Sequence, residues 1–539
     1  MVPAACFALT SDVRPAFPRP AATLFLCGSL ILLLGLLGQS SLDRTQEARV
    51  LVTAREMLAS GALPGYLIPH CNGEVRLHKP PLAYWLSAGS FRVFGIHDWA
   101  GRIPMALAAW LTLLATYAIG RRLVGARAAL LGCILLLGSL LFFRYGRMAE
   151  TDILVTLFNT LAVGAMILGW RHEGRRAGLL WHASSGIAIG LAVLAKGLPA
   201  VYPVIFLVLL AWWTGRWRTI LDWLRSGALL WAVLIALPWF VYISQTPEWS
   251  RVPHEAYKVL RGEGHWRLPG THLGYLAKAA LPWTPLVIIA LIAAVRQFGA
   301  SLRVRILLAW VLSAYVPLEI AMQKQEHYLL PLMPGLMLLV GLLLARPGGQ
   351  RWLPGAARIV FWGMAVVYGA AVALIPIAGW RIRNALQPLD LVLALLAGAA
   401  AISIAIQLRR GNFARGLWTS AVAGTLLMAA GIGLWAPNLA RDDFREIAAE
   451  LREHYPSATI AIYGNDMLPL AFYLQRTLPA YEEPAQLQQA WGERRFTLIV
   501  AEKDQLDHHA WPAGVPLRRQ MHFDIPDNDI LVFAGLRPR

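Results

Sequence analysis

Apolar runs of roughly 20 residues, each long enough to cross about 30 Å of hydrocarbon, recur along most of this chain. They begin near residues 21, 102, 126, 152, 178, 197, 226, 276, 304, 327, 357, 388 and 415. Inside a bilayer a backbone must satisfy its own N–H and C=O groups, so segments of this kind fold as membrane-spanning helices. About thirteen crossings are expected, in a mainly α, polytopic membrane protein. Composition agrees: 57% of the 539 residues are hydrophobic and 15% charged, too apolar a balance for a water-soluble fold. The run from Ala21 to Leu37 follows Arg14 and Arg19 and lacks a clear small-residue cleavage site. It reads as a first, uncleaved span.

The net charge of +18 would suit nucleic acid if it were concentrated on one face, but the arginines sit in small groups between the apolar runs. Arg121, Arg122 and Arg127, then Arg171, Arg175 and Arg176, then Arg216, Arg218 and Arg225 all fall on one side if the N-terminus is cytoplasmic. That is the positive-inside pattern, and it argues for a membrane partner and against nucleic acid. The lysines (Lys79, Lys196, Lys258, Lys278, Lys324 and Lys503) fall on the opposite, outer side. An odd number of spans puts the C-terminus there too, so the chain divides into a membrane domain, residues 1–436, and an outer soluble α/β domain, residues 437–539. In the latter, helix-like stretches at Asp442 to Glu453 and Met467 to Leu474 alternate with strand-like runs at Thr459 to Tyr463, Phe496 to Val500 and Asp529 to Phe533.

Two long outer loops, at about 39–101 and 245–274, carry most of the reactive side chains. The first opens with a mildly amphipathic helix, Thr45 to Ser60, in which Gln46, Arg49, Thr53 and Glu56 share a polar stripe while Leu51, Val52 and Leu58 are expected to face lipid. Further on, Lys79 precedes Pro80 and Pro81, which stop helix formation and fix an extended backbone before Tyr84 and Trp85. Lys196 lies in an outer turn with little else polar around it, where an ammonium is costly unless an anion offsets it. Lys324 stands at another outer helix end, near His327 and Tyr328. Three such cations from separate segments suit a phosphate ligand. Glu150 and Asp152 stand at the mouth of the fourth span beside Arg147; acids at that depth are candidates for function, the plain alternative being a helix cap. His78 and His265 are the candidate metal ligands, without the close spacing of a ligand pair. The four cysteines include no spaced metal or disulfide framework.

These segments together resemble the GT-C class of integral-membrane glycosyltransferases, specifically the relatives of protein O-mannosyltransferases and of the aminoarabinose transferase that modifies lipid A. The matching pieces run in family order over roughly residues 40 to 335: Glu47-Ala-Arg49, Ala54 to Gly61, Asn72-Gly73, Lys79-Pro-Pro-Leu82, Arg102-Ile-Pro104, Arg147 to Asp152, Ala195-Lys-Gly197 and His327 to Pro331. Two positions depart from the family pattern. Gln46-Glu47 stands where the family opens with Asp-Glu, with Asp43 three residues upstream, and His78 stands where the family has Glu.

The resemblance implies a sugar donor linked to a polyprenyl phosphate and transfer with inversion on the periplasmic side of the bacterial inner membrane. Acceptors would be lipid A phosphate, or alternatively protein or glycan hydroxyls. It requires no cofactor, a divalent metal being the alternative. Asp152, Glu47 and Glu150 are then the catalytic acids, and Lys79, Lys196, Lys324, Arg147, Arg49 and Tyr328 the donor-phosphate ligands. A transporter or flippase of lipid-linked sugars is the rival reading. It predicts charges and helix breaks near mid-membrane, whereas here the charges collect at loops and helix ends, although Pro238 and Pro376 lie within spans.

Overall fold

The computed structural model describes residues 19–42, 44–250, 268–321, 323–345, 353–437, 444–503, 506, 511, 515, 517–524 and 529–535. A helix lies at or close to each of the thirteen positions where an apolar run begins. Among the described residues seven helices are long and apolar enough to cross a membrane, or nine if two bent pairs each count as one span. The bends have local causes. Gly227, in the left-handed region at φ 71°, separates Arg218–Arg225 from Ala228–Ser244 at 48°. Pro282 and Pro285 interrupt the second pair, Thr271–Ala279 and Thr284–Gln297, which meet at 119°.

Burial sorts these helices into a centre and a periphery. Thr151–Arg171 and Glu326–Ala345 are almost wholly enclosed by other helices, whereas Gly355–Arg383 and Pro388–Arg409 leave most of their apolar surface outside. Val366 and Leu395, for example, are 69% and 72% exposed, as lipid-facing residues are. The inner helices approach closely through glycine. A Cβ on Gly341 would meet the Ala128 carbonyl at 2.3 Å, and one on Gly132 would meet that of Met337 at 2.8 Å, so Ala126–Leu137 and Met333–Ala345 pack backbone to backbone.

The helix Thr45–Ser60 forms over the expected residues, but its surroundings correct the expectation of an interfacial helix. Leu51 and Val52 are fully buried. They pack into protein, between the helix Leu82–Phe94 and the soluble layer. A short hairpin follows, β1 (His70–Cys71) and β2 (Glu74–Val75), turned by Asn72 and Gly73. Both turn residues have positive φ, 56° and 84°, the geometry that favours Asn-Gly.

Beyond the last membrane helix lies a five-stranded sheet of order β4-β3-β5-β7-β6, built from β3 (Ile460–Tyr463), β4 (Ala480–Tyr481), β5 (Leu498–Glu502), β6 (Leu517–Asp524) and β7 (Asp529–Gly535). β3 pairs in parallel with β4 and β5, and β7 antiparallel with β5 and β6. Strand alternation makes two cores. Ile460, Ile462, Leu498, Val500, Ile530 and Val532 pack on one face with the helices Phe444–His454 and Leu468–Leu474. Ala461, Tyr463, Ile499, Ala501, Leu531 and Phe533 pack on the other with Pro484–Gly492.

Candidate active site

The strongest cluster of ionisable groups gathers where Thr151–Arg171 begins. Glu150 is extended, at φ −124° and ψ 153°, and no side chain caps this helix start. Asp152 is therefore not acting as a cap. Its Oδ1 accepts from Lys196 Nζ at 2.5 Å, and its Oδ2 lies 4.0 Å from His327 Nε2 and 3.5 Å from Thr151 Oγ1. Lys196 is delivered by the last turn of Arg176–Lys196, which Gly197, at φ 81°, ends at that point. The same ammonium sits 4.3 Å from the ring centre of Tyr328, a cation–π contact. His327 and Tyr328 come from the 3-10 turn Glu326–Leu332 that leads into the next helix.

Lys79 reaches this cluster from the segment between the β1–β2 hairpin and the helix Leu82–Phe94, its Nζ 3.5 Å from Thr151 Oγ1. Withdrawal from water and the like charge of Lys196 push its ammonium down to about 8, with Asp152 and Glu150 pulling the other way. Glu150 is 2% exposed, and among the described residues its one ion pair is a long contact with Arg44 Nη1 at 3.4 Å. Burial pushes its carboxyl up to about 7 despite that arginine. Arg44 in turn donates to the Tyr145 hydroxyl at 2.5 Å. That hydroxyl donates to Glu326 at 3.3 Å, and Glu326 pairs with Lys278 at 2.7 Å. A chain of charges thus runs from the buried acids to the exposed lysine.

The other residues singled out from sequence occupy different places. Glu47 is fully buried and saturated: Arg102 donates to its two oxygens at 2.7 and 3.0 Å, and the Ala149 amide donates to Oε1 at 2.8 Å. It braces the backbone one residue before Glu150 and presents no free oxygen to a substrate. Arg147 donates to the carbonyls of Leu32, Leu33, Gly35 and Leu36, closing the end of the first helix. Lys324 corrects the expectation of three gathered ammonium groups. It is 2% exposed, and its Nζ is held by the carbonyls of Leu318, Glu319 and Ala321 and by the Glu319 carboxylate. Lys79 and Lys196 meet at the acids; Lys324 ties off the helix Leu302–Ile320 instead. Arg49 is half-buried and forms no ion pair among the described residues. His78 is exposed, and His265 and Asp43 lie outside the described residues.

Sequence reasoning passed over Arg44 and Tyr145, which lie outside the matching segments, and gave no role to Thr151 within its own; all three join the cluster through tertiary contacts. One ligand atom each of Glu150, Asp152 and His327 lie within 4.8 Å of one another, the spacing that a metal site would need.

Residues 78–242 match the family described as Dolichyl-phosphate-mannose-protein mannosyltransferase. An undecaprenyl phosphate-alpha-4-amino-4-deoxy-L-arabinose arabinosyl transferase of Pseudomonas aeruginosa is 30% identical over 388 residues, 69% of each chain. A Sodalis glossinidius protein of the same description is 30% identical over 309 residues, 55% of this chain. The chain spans about half, 53%, of the length of that relative. In fold, the apo crystal structure of ArnT from Cupriavidus metallidurans superposes with a TM-score of 0.75 at 19% identity, covering 96% of this chain and 98% of that one. The structure of the same protein bound to undecaprenyl phosphate gives 0.73, covering 96% and 99%.

Proposed function

From the premise that this chain belongs to the family of undecaprenyl phosphate-alpha-4-amino-4-deoxy-L-arabinose arabinosyl transferases, we propose that it is a glycosyltransferase of the GT-C fold. It moves a sugar from a polyprenyl-phosphate donor to an acceptor at the outer face of the cytoplasmic membrane, 4-amino-4-deoxy-L-arabinose to a lipid A phosphate being the leading case. Residues 1–436 form the membrane catalytic domain, and residues 437–539 a periplasmic domain. The observation that carries the reading is the meeting of Lys196, on the buried acid Asp152 and the Tyr328 ring, with Lys79, on the neighbouring Thr151 hydroxyl.

The chemistry follows from where charge develops. As the acceptor oxygen attacks C1, the C1–O bond to phosphate breaks, the sugar passes through an oxocarbenium-like state, and the leaving lipid phosphate gains negative charge. A fixed ammonium beside that phosphate stabilises the transition state more than the ground state. Lys79 is suited to this because its closest partner is a neutral hydroxyl at 3.5 Å, whereas Lys196 is already paired with Asp152. Lys196 holds that carboxylate ionised and aimed. A hydroxyl acceptor would lose its proton to Asp152; a phosphate acceptor is already ionised and needs only to be positioned.

The group formed by Glu150, Asp152 and His327 fits a divalent cation poorly. Lys196 Nζ stands 2.5 Å from Asp152 and Lys79 lies beside Thr151, so ammonium groups fill the place where a metal's charge would go.

The test is transfer in membranes containing the full chain. Lys79→Ala should lower transfer about 100-fold or more without lowering the amount of folded protein. Asp152→Asn should abolish transfer to a hydroxyl while sparing transfer to a phosphate. Undiminished transfer by Lys79→Ala would overturn the assignment.

A further inference from the structure

At the end of the membrane helices opposite the acids, a cleft of about 360 Å³ runs between Asp98–Leu123, Thr151–Arg171 and Arg176–Lys196. The helix Thr151–Arg171 carries Asp152 in its first turn and Arg171 in its last. At about 1.5 Å per residue the two lie roughly 28 Å apart along the axis, so the cleft is separate from the site built on Asp152 and Lys196. Phe158, Leu161, Ala165, Leu168 and Arg171 line it at intervals of three and four residues, one face of that helix. From Phe158 to Arg171 this face is about 20 Å long, more than the roughly 15 Å that one leaflet contributes to the hydrocarbon. Leu161, Trp181 and Ile187 line it too and are 42%, 39% and 39% exposed. The cleft therefore opens sideways, toward lipid.

Two arginines stand at its mouth. Arg122 lies in the last turn of Asp98–Leu123 and Arg171 in that of Thr151–Arg171, and Arg171 Nη1 donates to the Arg122 carbonyl at 3.3 Å. Both side chains line the cleft, both are exposed, and neither forms an ion pair among the described residues. The acids nearby in the chain are engaged elsewhere. Glu173 pairs with Arg216, while Asp222 Oδ2 accepts from the Gly174 amide at 3.0 Å and its Oδ1 lies 4.0 Å from Arg218 and Arg225. Among the described residues no Asp or Glu lines the cleft. Single arginines at membrane helix ends are ordinary; a pair over an apolar channel whose wall holds no acid is the arrangement that receives a lipid head group.

We propose that this cleft binds one anionic phospholipid of the arginine-side leaflet, with an acyl chain along Phe158 to Leu168 and the phosphate between Arg122 and Arg171. Charge selects the class. A zwitterionic head group brings an ammonium, which here would meet two guanidinium groups and no carboxylate, whereas a head group of net negative charge meets only partners. The apolar walls require a chain, so a free phosphate does not suffice. The site goes beyond the transfer reaction and does not depend on it. A lipid seated there bridges three helices, two of which carry Asp152 and Lys196 at their other ends, and its occupancy stabilises the folded chain by mass action.

The experiment measures lipid binding to the purified full chain by native mass spectrometry in a neutral detergent, with phosphatidylglycerol, phosphatidylethanolamine and undecaprenyl phosphate as separate probes. Phosphatidylglycerol should bind about tenfold or more tighter than phosphatidylethanolamine. Arg122→Gln with Arg171→Gln should remove that preference. Arg121→Gln with Arg175→Gln takes the same charge from exposed positions outside the cleft and should keep it. Ala118→Trp fills the cleft from an exposed position on its wall, and should weaken phosphatidylglycerol about tenfold or more with every charge in place. All five positions are exposed, so these variants leave the packed interior as it is. Equal losses in the two double variants would mean diffuse attraction to a basic surface and overturn the site. Unchanged binding in Ala118→Trp would overturn it as well, and so would a loss at Arg122 and Arg171 that falls on undecaprenyl phosphate and not on phosphatidylglycerol.

Discussion

Replacing Glu47 with Gln separates a catalytic acid from a structural one. The substitution keeps the size and one carbonyl oxygen but removes the charge from a carboxylate that is fully buried and joined to Arg102 through both oxygens, at 2.7 and 3.0 Å. Arg102 is 2% exposed and would keep its charge in that setting. Its remaining bonds, to the carbonyls of Leu37, Ser40 and Ser41 and the Ser40 hydroxyl, are to dipoles and do not neutralise it. Removing one member of a buried ion pair costs about 3–5 kcal/mol. The surviving amide oxygen can still accept one bond, so the expected loss is about 3 kcal/mol, near the lower end of that range. Thermal unfolding of the purified chain in detergent should show a midpoint lower by several degrees. Arg102→Met combined with Glu47→Gln should recover much of the loss, because no buried charge is then left alone. Transfer per folded molecule should stay within a few-fold of the parent. If instead Glu47→Gln left the unfolding midpoint in place while cutting transfer to a hydroxyl acceptor by about 100-fold or more, Glu47 would be a base and the bracing argument wrong.

Three further outcomes follow from the same geometry. Because the Lys79 ammonium is pushed down to about 8, it is charged below that pH and neutral above it, so kcat/KM for the donor should fall as pH rises through about 8; Lys79→Arg should keep the rate level past that point. Lys324→Met should lower the unfolding midpoint by freeing the carbonyls of Leu318 and Ala321 and the Glu319 carboxylate, with transfer per folded molecule unchanged; a loss of donor affinity would return Lys324 to the phosphate site. Asn72→Ala removes three bonds between the hairpin and the soluble layer, and should reduce kcat by roughly tenfold through looser placement of Lys79, measured as transfer at saturating donor.

The resemblance to GT-C transferases was legible because its pieces are local: Lys79-Pro-Pro, Glu150-Thr-Asp152 and Ala195-Lys196-Gly197 are short words that survive without knowledge of the fold. Their roles were not all legible. Arg147 and Asp152 look equally placed in the chain, five residues apart, yet one closes a helix end and the other faces two lysines. Glu47 carries the family motif and is held by Arg102, a partner 55 residues away. The helix Thr45–Ser60 shows the same limit, since an amphipathic stripe states that one face is apolar but not whether lipid or protein covers it.

Hydropathy and charge spacing by themselves determined that this chain enters a membrane and spans it with many helices, because transfer of apolar side chains and the positive-inside bias depend on composition along short windows. They also marked three of the five strands of the C-terminal sheet, β3, β5 and β7, but not the edge strands β4 and β6. Tertiary structure alone decided which cations remain available to an anion. Pairing depends on separations of a few ångströms between side chains far apart in sequence, and a single neighbouring carboxylate or carbonyl changes an ammonium from ligand site to structural tie.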